Sequence, residues 1–304
     1  MFSNEEIEKL IKAGAIGAEA RELGASLIKP GASSREICDE VENSIMKKGA
    51  KLAFPCNLSI NEIAAHYTPG INDDMKIPDI GVIKVDVGAS IDGYLSDTAT
   101  TVVLGSQFKE LALTVNKALE NVVSIMEPNI TIYEIGRAIE STIRTNGFKP
   151  IKNLTGHTIS RYNLHAGESI PNYADRSTFY KRLRPGTQVA IEPFGTFGKG
   201  FVVDGPKAYI YSLTGRKPKS ISEDAQQLLN YIQEKYNTLP FAARWLTSEF
   251  EASKVETLLN ELVRQKALVN YPILIEAGKG LVAQFEHTFL ILDNKVIVTT
   301  LLKQ

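Results

Sequence analysis

The sequence predicts an α+β protein in which two related halves share one sheet and a helical segment is inserted late in the chain. Three observations support this prediction. Residues 29–57 resemble residues 127–155, single carboxylates stand inside strand-like segments, and residues 221–270 follow a helical period without a glycine. With 304 residues and 43% hydrophobic content, the chain can bury a large core.

Composition excludes several classes of protein. A net charge of −1 and a pI near 6.5 argue against nucleic acid as the main ligand. The sequence has no apolar run of membrane-spanning length, and its start is acidic where a secretory signal would be basic, so we expect a cytoplasmic protein. Cys38 and Cys56 have neither a CxxC nor a paired spacing, which argues against a disulfide or zinc framework.

The first half of the chain begins with helices. Ser3 and Glu6 form a capping box that predicts an amphipathic helix near residues 3–27. Residues 29–57 then read as a proline-started turn, a second amphipathic helix, a glycine stop and a strand.

The second half repeats this order. A helix is predicted near residues 106–126, and residues 127–155 match the first copy position by position. The matched pairs include Pro30 and Pro128, Glu36 and Glu134, Ile37 and Ile135, Glu42 and Glu140, and Gly49 and Gly147. Helix–glycine–strand units are common, so coincidence is the alternative. Two related halves would leave a cleft between them, which is a natural ligand site.

Between the two copies lies the strand-like segment KVDVGASIDGYLSDTATTVV, which contains Asp86 and Asp97. Asp92-Gly93 is a type I′ turn signal, since both central residues need a positive φ. A two-residue loop there would pair Asp86 with Ala99 and place Asp86 and Asp97 on one face, roughly 7 Å apart. A one-residue bulge would break this parity, and a surface hairpin with both aspartates outward is the alternative.

The last third adds two more carboxylates in strand-like sequence, Glu192 in TQVAIEPF and Glu286 in AQFEHT. The second strand is predicted to turn back at Asp293-Asn294. Between them, residues 221–270 predict a compact insertion of about three helices. We expect this insertion to wall one side of the cleft.

Four carboxylates crowded on a β-lined cleft would repel one another, and burial would increase the repulsion. Two divalent cations would neutralise Asp86, Asp97, Glu192 and Glu286, with His157 as a fifth ligand. Oxygen-rich ligands with one imidazole suit manganese, iron or cobalt at least as well as zinc. The sequence therefore predicts a dinuclear metal site.

With these motifs in order, the sequence resembles the methionine aminopeptidases over nearly its whole length. The motifs are FPCNLSINEIAAHYTP, the two spaced aspartates, TGHTISRYNLHAG, AIEPF and AQFEHT. The resemblance implies a pita-bread fold: two pseudo-symmetric α/β halves around a curved antiparallel sheet, forming one catalytic domain over residues 1–304. The insertion at residues 221–270 resembles the helical, winged-helix-like subdomain of type 2 enzymes, and the short amino end resembles the archaeal form.

The resemblance also implies a role for each ligand. Asp97 and Glu286 would bridge two divalent ions (cobalt, manganese, iron or zinc). Asp86 would complete one metal site, and His157 with Glu192 would complete the other. A hydroxide between the metals would attack the scissile carbonyl, and Glu192 would act as the proton-shuttling base.

Substrate contacts are implied in the same way. His66 and His165 would contact the scissile amide, and the second would help to stabilise the oxyanion. Phe54, Leu164 and Tyr271 would form the pocket for the methionine side chain, and only a small second residue would fit beside the cleft.

The implied substrates are the amino termini of nascent polypeptides, with a transient ribosome contact left open. No membrane, no stable nucleic acid partner and a monomeric state are expected. Two alternatives remain: a prolidase or aminopeptidase P with a related dinuclear site, and a non-catalytic pita-bread protein that binds partners.

Overall fold

The computed structural model describes residues 1–302, in which helices and antiparallel strands alternate. The α-helices are α1 (Asn4–Leu27), α2 (Ser34–Lys47), α3 (Lys109–Ile125), α4 (Ile132–Thr145), α5 (Glu223–Tyr236) and α6 (Ala252–Arg264). Short 3₁₀ helices cover Ser106–Phe108, Arg176–Thr178 and Ala243–Ser248.

The strands of the first half are β1 (Lys51–Ile60), β2 (Ile63–Ala65), β3 (Gly81–Ile91), β4 (Tyr94–Leu95) and β5 (Thr98–Leu104). Those that follow are β6 (Lys149–Pro150), β7 (Thr155–Ile159), β8 (Ser169–Pro171), β9 (Thr187–Ile191), β10 (Phe194–Thr196) and β11 (Val202–Leu213). The last are β12 (Phe241–Ala242), β13 (Leu268–Glu276), β14 (Val282–Gln284), β15 (His287–Ile291) and β16 (Val296–Val298).

The predicted repeat is present as two copies of one helix–strand unit. Helices α2 and α4 occupy matching positions, and α1 and α3 precede them as expected. Gly49 and Gly147 each follow the helix with φ of 76° and 82°, a left-handed conformation that glycine adopts without steric cost. Each copy therefore ends its helix by the same device.

Each half has its own antiparallel sheet and its own core. In the first half β1, β3, β4 and β5 pair, and α1 and α2 pack on them around Val41, Ile45 and Val85. In the second half β7, β8, β9, β15 and β16 form a five-stranded sheet. The β-bridge between Ala99 and Glu286 joins the two sheets into one curved surface.

The hairpin between the two copies has the predicted register. Asp92 and Gly93 have φ of 52° and 85°, which is the type I′ signature, and Asp86 pairs with Ala99. Asp97 leaves the strand ladder at the gap between β4 and β5. At this gap the Thr288 hydroxyl bonds the Asp97 backbone in place of a neighbouring strand. It accepts from the Asp97 N–H at 2.8 Å and donates to the Asp97 carbonyl at 2.6 Å.

The late helical segment has a core of its own, built from buried side chains that include Leu228, Ile232, Leu246 and Leu259. Its middle element differs from the predicted helix. Residues 241–242 form strand β12 because they pair with β11, and only the following turn is helical, as a 3₁₀ helix. The boundaries of a subdomain at residues 221–270 stay a prediction.

A buried ion pair fastens this segment to the first half of the chain. The Arg244 guanidinium bonds the Glu42 carboxylate on α2, and its Nη1 donates to Thr68 at 2.8 Å. The Trp245 indole N–H donates to the same carboxylate at 2.8 Å, and so does the Cys56 amide at 3.0 Å. Arg244 and Glu42 are only 5% and 4% exposed, so neither can exchange its partner for water.

Among residues 1–302, no helix combines the length and apolar composition needed to cross a membrane. Cys38 and Cys56 are both buried and unbridged.

Replacing Arg244 should destabilise the fold strongly, because the Glu42 carboxylate would stay buried without its counter-charge. For Arg244→Leu we expect a loss of about 3–5 kcal/mol in the free energy of unfolding, measured by urea denaturation. Lys254→Leu is the control, since Lys254 makes an exposed pair with Asp224 at 3.8 Å and should cost less than about 1 kcal/mol.

A second variant separates lost charge from lost packing. Adding Glu42→Gln to Arg244→Leu removes the buried charge and keeps an acceptor for either Cys56 or Trp245, whose N–H groups bond different oxygens of the carboxylate, so part of the stability should return. If both variants unfold like the control, the ion pair does not fasten this segment.

Candidate active site

One cavity of about 520 Å³ lies between the two halves and the late helical segment. All ten residues singled out from the sequence line it: Phe54, His66, Asp86, Asp97, His157, Leu164, His165, Glu192, Tyr271 and Glu286. The structure thus brings them together, while the role of each one stays a prediction.

Five of these residues form what we call the central cluster: Asp86, Asp97, His157, Glu192 and Glu286. One ligand atom each from Asp97, His157 and Glu286 lies within 4.8 Å of the other two. The His157 Nε2 is 3.5 Å from Asp97 Oδ2 and 3.6 Å from Glu192 Oε1. Oxygen and imidazole atoms at these separations can coordinate a cation placed between them.

Both halves contribute to the central cluster. Asp86 lies on β3 and Asp97 at the β4–β5 gap of the first half. His157 lies on β7, Glu192 directly after β9, and Glu286 between β14 and β15 of the second half. The cluster therefore forms only when the two halves are assembled.

Sequence reasoning missed Gln284, whose side-chain amide reaches three of the four carboxylates. Its Nε2 donates to Asp86 at 3.3 Å, to Glu192 at 3.4 Å and to Glu286 at 3.4 Å. A neutral donor at this position reduces the repulsion without adding a charge. The signal was available, because residues two apart on a strand-like segment share a face, and Gln284 stands two before Glu286.

Burial raises the pKa of every carboxyl group in the central cluster. Burial is the largest cause, and it raises the pKa of Asp97 to about 7. For Asp86, Glu192 and Glu286, burial is reinforced by the charges of their carboxylate neighbours. The ionised forms are therefore unfavourable unless a positive charge joins them.

Two oxygens of the central cluster are free to coordinate divalent cations. Asp86 Oδ1 and Glu286 Oε1 are buried, and within residues 1–302 neither has a hydrogen-bond partner. Buried polar atoms are nearly always satisfied, so these two point to a ligand that accepts their lone pairs. Asp86, Asp97, His157, Glu192 and Glu286 are the residues that could hold it.

His66 and His165 stand at the cavity as neutral imidazoles. Burial lowers the pKa of His66 to about 4, and its Nδ1 lies 3.1 Å from the Pro272 carbonyl oxygen. That contact assigns the proton to Nδ1 and leaves Nε2 as an acceptor. Burial is the main cause that lowers the pKa of His165, and the neighbouring His157 lowers it further.

The cavity also has an apolar wall. Phe54 and Leu164 pack in one buried cluster with Leu239 from the late helical segment, and the adjacent Pro240 lines the cavity. Tyr271 lies edge-on to His66 with ring centroids 5.6 Å apart. This wall suits an apolar side chain better than a charged one.

Comparison with known proteins agrees with this chemistry. The model for metallopeptidase family M24 matches residues 8–293. The chain belongs to this family. As an M24 member with a buried cluster of ligand atoms, it is a divalent-metal-dependent hydrolase.

Relatives within the family are similar over nearly their full length. A methionine aminopeptidase of Pyrococcus abyssi is 45% identical, covering 97% of this chain and 99% of the relative. A methionine aminopeptidase of Saccharolobus solfataricus is 44% identical, covering 98% of this chain and 99% of the relative.

Solved structures show the same fold at lower identity. A thermophilic Arx1 superposes with a TM-score of 0.86 at 18% identity, covering 98% of this chain and 91% of that one. A methionine aminopeptidase of Thermotoga maritima superposes with a TM-score of 0.70 at 24% identity, covering 98% of each chain. A prolidase of Pyrococcus furiosus gives 0.63 at 19% identity, with 99% of this chain but 65% of the prolidase covered. The predicted pita-bread fold is confirmed.

Metal binding should release protons, because the raised carboxyl pKa values keep protons on the metal-free protein. At pH 6 we expect release of at least about one proton per chain on adding manganese, with affinity rising from pH 5 to pH 7.5. Calorimetry in two buffers of different ionisation enthalpy measures the proton number. Asp97→Asn is the matched variant, since it removes the group with a pKa of about 7 and should release fewer protons. Binding without proton release in the unsubstituted protein would contradict the expected protonation of the carboxyls.

Proposed function

We propose that this M24 hydrolase is a methionine aminopeptidase that removes the amino-terminal methionine when the second residue is small. The central cluster at the floor of a cavity with one apolar wall carries the proposal, because it supplies a hydrolytic centre beside a side-chain pocket. Relatives at 44–45% identity over nearly the whole chain carry this name.

The central cluster would hold two divalent ions through Asp86, Asp97, His157, Glu192 and Glu286. Two cations would match the four carboxylates in charge, and the partnerless oxygens of Asp86 and Glu286 would each gain a ligand bond. When bound, such ions polarise a carbonyl oxygen and lower the pKa of water.

The remaining polar groups would handle the proton and the developing charge. Glu192 would take a proton from the attacking water and pass it to the leaving amine, because its carboxylate lies in the central cluster and lines the cavity. The ring of His165, 4.5 Å from that of His157, would donate to the carbonyl oxygen as it gains charge. His66, with Nε2 free to accept, would orient the substrate's amide.

The methionine side chain would lie against Phe54, Leu164 and Tyr271. Pro240 would close that side of the cavity, which supports the expectation that the late helical segment walls the cleft. Only a small second residue would fit beside it.

The proposed substrates are the amino termini of nascent polypeptides in the cytoplasm. A transient contact with the ribosome and a monomeric state stay predictions from the sequence.

Two other functions share the fold. A prolidase would use a similar centre on peptides with proline in second position, and its support here is fold-level likeness at 19% identity. A binding protein without activity would not need the central cluster, yet all five of its residues line the cavity.

Turnover of Met-Ala-Ser by metal-free protein reloaded with manganese, iron or cobalt tests the proposal against both rivals. We expect release of methionine in the presence of metal, no release with chelator, and little turnover of Ala-Pro. Glu286→Gln should lower the rate about 10³-fold, because a carboxylate of the central cluster is lost, whereas Glu120→Gln at an exposed position of α3 should have no effect. Faster turnover of Ala-Pro would favour the prolidase, and no turnover by metal-loaded protein would favour the binding protein.

Substituting His165 tests the oxyanion role. His165→Ala should lower kcat about 10²- to 10³-fold with little change in KM, because the donor acts on charge that develops in the transition state. His287→Gln is the matched control. This histidine does not line the cavity, and its Nδ1 lies 2.9 Å from the Thr300 hydroxyl. A loss confined to KM would show that His165 binds substrate but does not stabilise the oxyanion.

A further inference from the structure

Asn57 lines the cavity beside the central cluster without belonging to it. The residue is 5% exposed, and within residues 1–302 its Oδ1 has no hydrogen-bond partner. Its Nδ2 donates to the Pro55 carbonyl at 3.2 Å, which fixes the amide orientation and leaves Oδ1 as the free acceptor. A buried acceptor of this kind implies a donor that arrives from outside the chain.

A bulge in β1 turns Asn57 towards the cavity. Phe54 pairs with Gly88 and Asn57 with Asp86, so three steps on β1 match two on β3. In a regular strand Phe54 and Asn57 would face opposite sides, yet both line the cavity. Pro55 has no N–H to place in the ladder, and the Cys56 N–H bonds Glu42 instead.

Ser59, two residues further along β1, shows that a buried partnerless oxygen alone is not a site. Its hydroxyl is also partnerless within the described chain, and the residue is 1% exposed, but it does not line the cavity. Asn57 differs because it stands between the apolar wall at Phe54 and the carboxylate of Asp86.

We propose that Asn57 Oδ1 accepts a hydrogen bond from the α-ammonium group of the substrate. The inference rests on the proposed function, in which the methionine side chain lies against Phe54 and the scissile carbonyl lies at the central cluster. Side chain, amino group and carbonyl leave the same carbon, so the amino group falls beside the strand that joins Phe54 to Asn57.

A neutral acceptor suits this position. The charged N–H of an ammonium group makes a strong hydrogen bond to an amide oxygen. A fifth carboxylate would add to the repulsion within the central cluster, whereas an amide oxygen does not. Asn57 is therefore a residue that recognises a free amino terminus.

Two probes that differ only in the amino group test this assignment on the metal-loaded protein. Methioninol carries the amine and the methionine side chain, and 4-(methylthio)butan-1-ol lacks the amine. In Asn57→Leu, which matches the asparagine in size, the preference for methioninol should fall about tenfold while binding of the second probe stays unchanged. Calorimetric Kd values give the ratio directly.

Two further variants complete the design. Asn57→Asp keeps an acceptor at the same position and should retain the preference in metal-loaded protein, although its charge adds to the repulsion within the central cluster. Ser59→Ala should behave as the unsubstituted protein. Equal weakening of both probes in Asn57→Leu, or an unchanged ratio, would overturn the inference. Turnover of Met-Ala-Ser by the unsubstituted protein is measured alongside, so a failed preference with intact turnover refutes the role of Asn57 and leaves the proposed function standing.

Discussion

The crowding of four carboxylates around one imidazole is the constraint on which the rest of the structure depends. Isolated in a buried cavity, these groups repel one another, and burial raises the pKa of each. Gln284 reduces the repulsion by donating to three of them. Two oxygens still lack partners, so the arrangement is completed only by a cation. The negative charge of the ionised carboxylates is uncompensated in the metal-free cluster. It therefore makes that state unfavourable and favours the binding of a cation.

The duplicated architecture solves the problem of assembling such a cluster. Each half folds a hairpin or strand pair on its own core, so neither half must bury all of the charge by itself. The halves meet at the bridge between Ala99 and Glu286 and at the two hydrogen bonds from Thr288 to the backbone of Asp97. These contacts position Asp97 and Glu286, two carboxylates of the central cluster, relative to each other.

Substrate recognition is linked to the same frame through Glu42. Its carboxylate receives Arg244 and Trp245 from the late helical segment and the amide of Cys56 in the bulge of β1. That bulge turns Phe54 and Asn57 into the cavity, and the helical segment supplies Leu239 and Pro240 to the same apolar wall as Phe54. One buried ion pair thus holds the two chain segments that build this wall against each other.

The sequence by itself determined whatever depends on local periodicity. The repeat, the helix stops at Gly49 and Gly147, and the type I′ hairpin all follow from patterns that a few neighbouring residues specify. Only the tertiary structure decided what depends on side chains distant in the chain. It drew residues 241–242 into a strand by pairing them with β11, and it turned Asn57 inward through a bulge. Pairing partners, bulges and buried contacts are set by distant segments, and no local pattern records them.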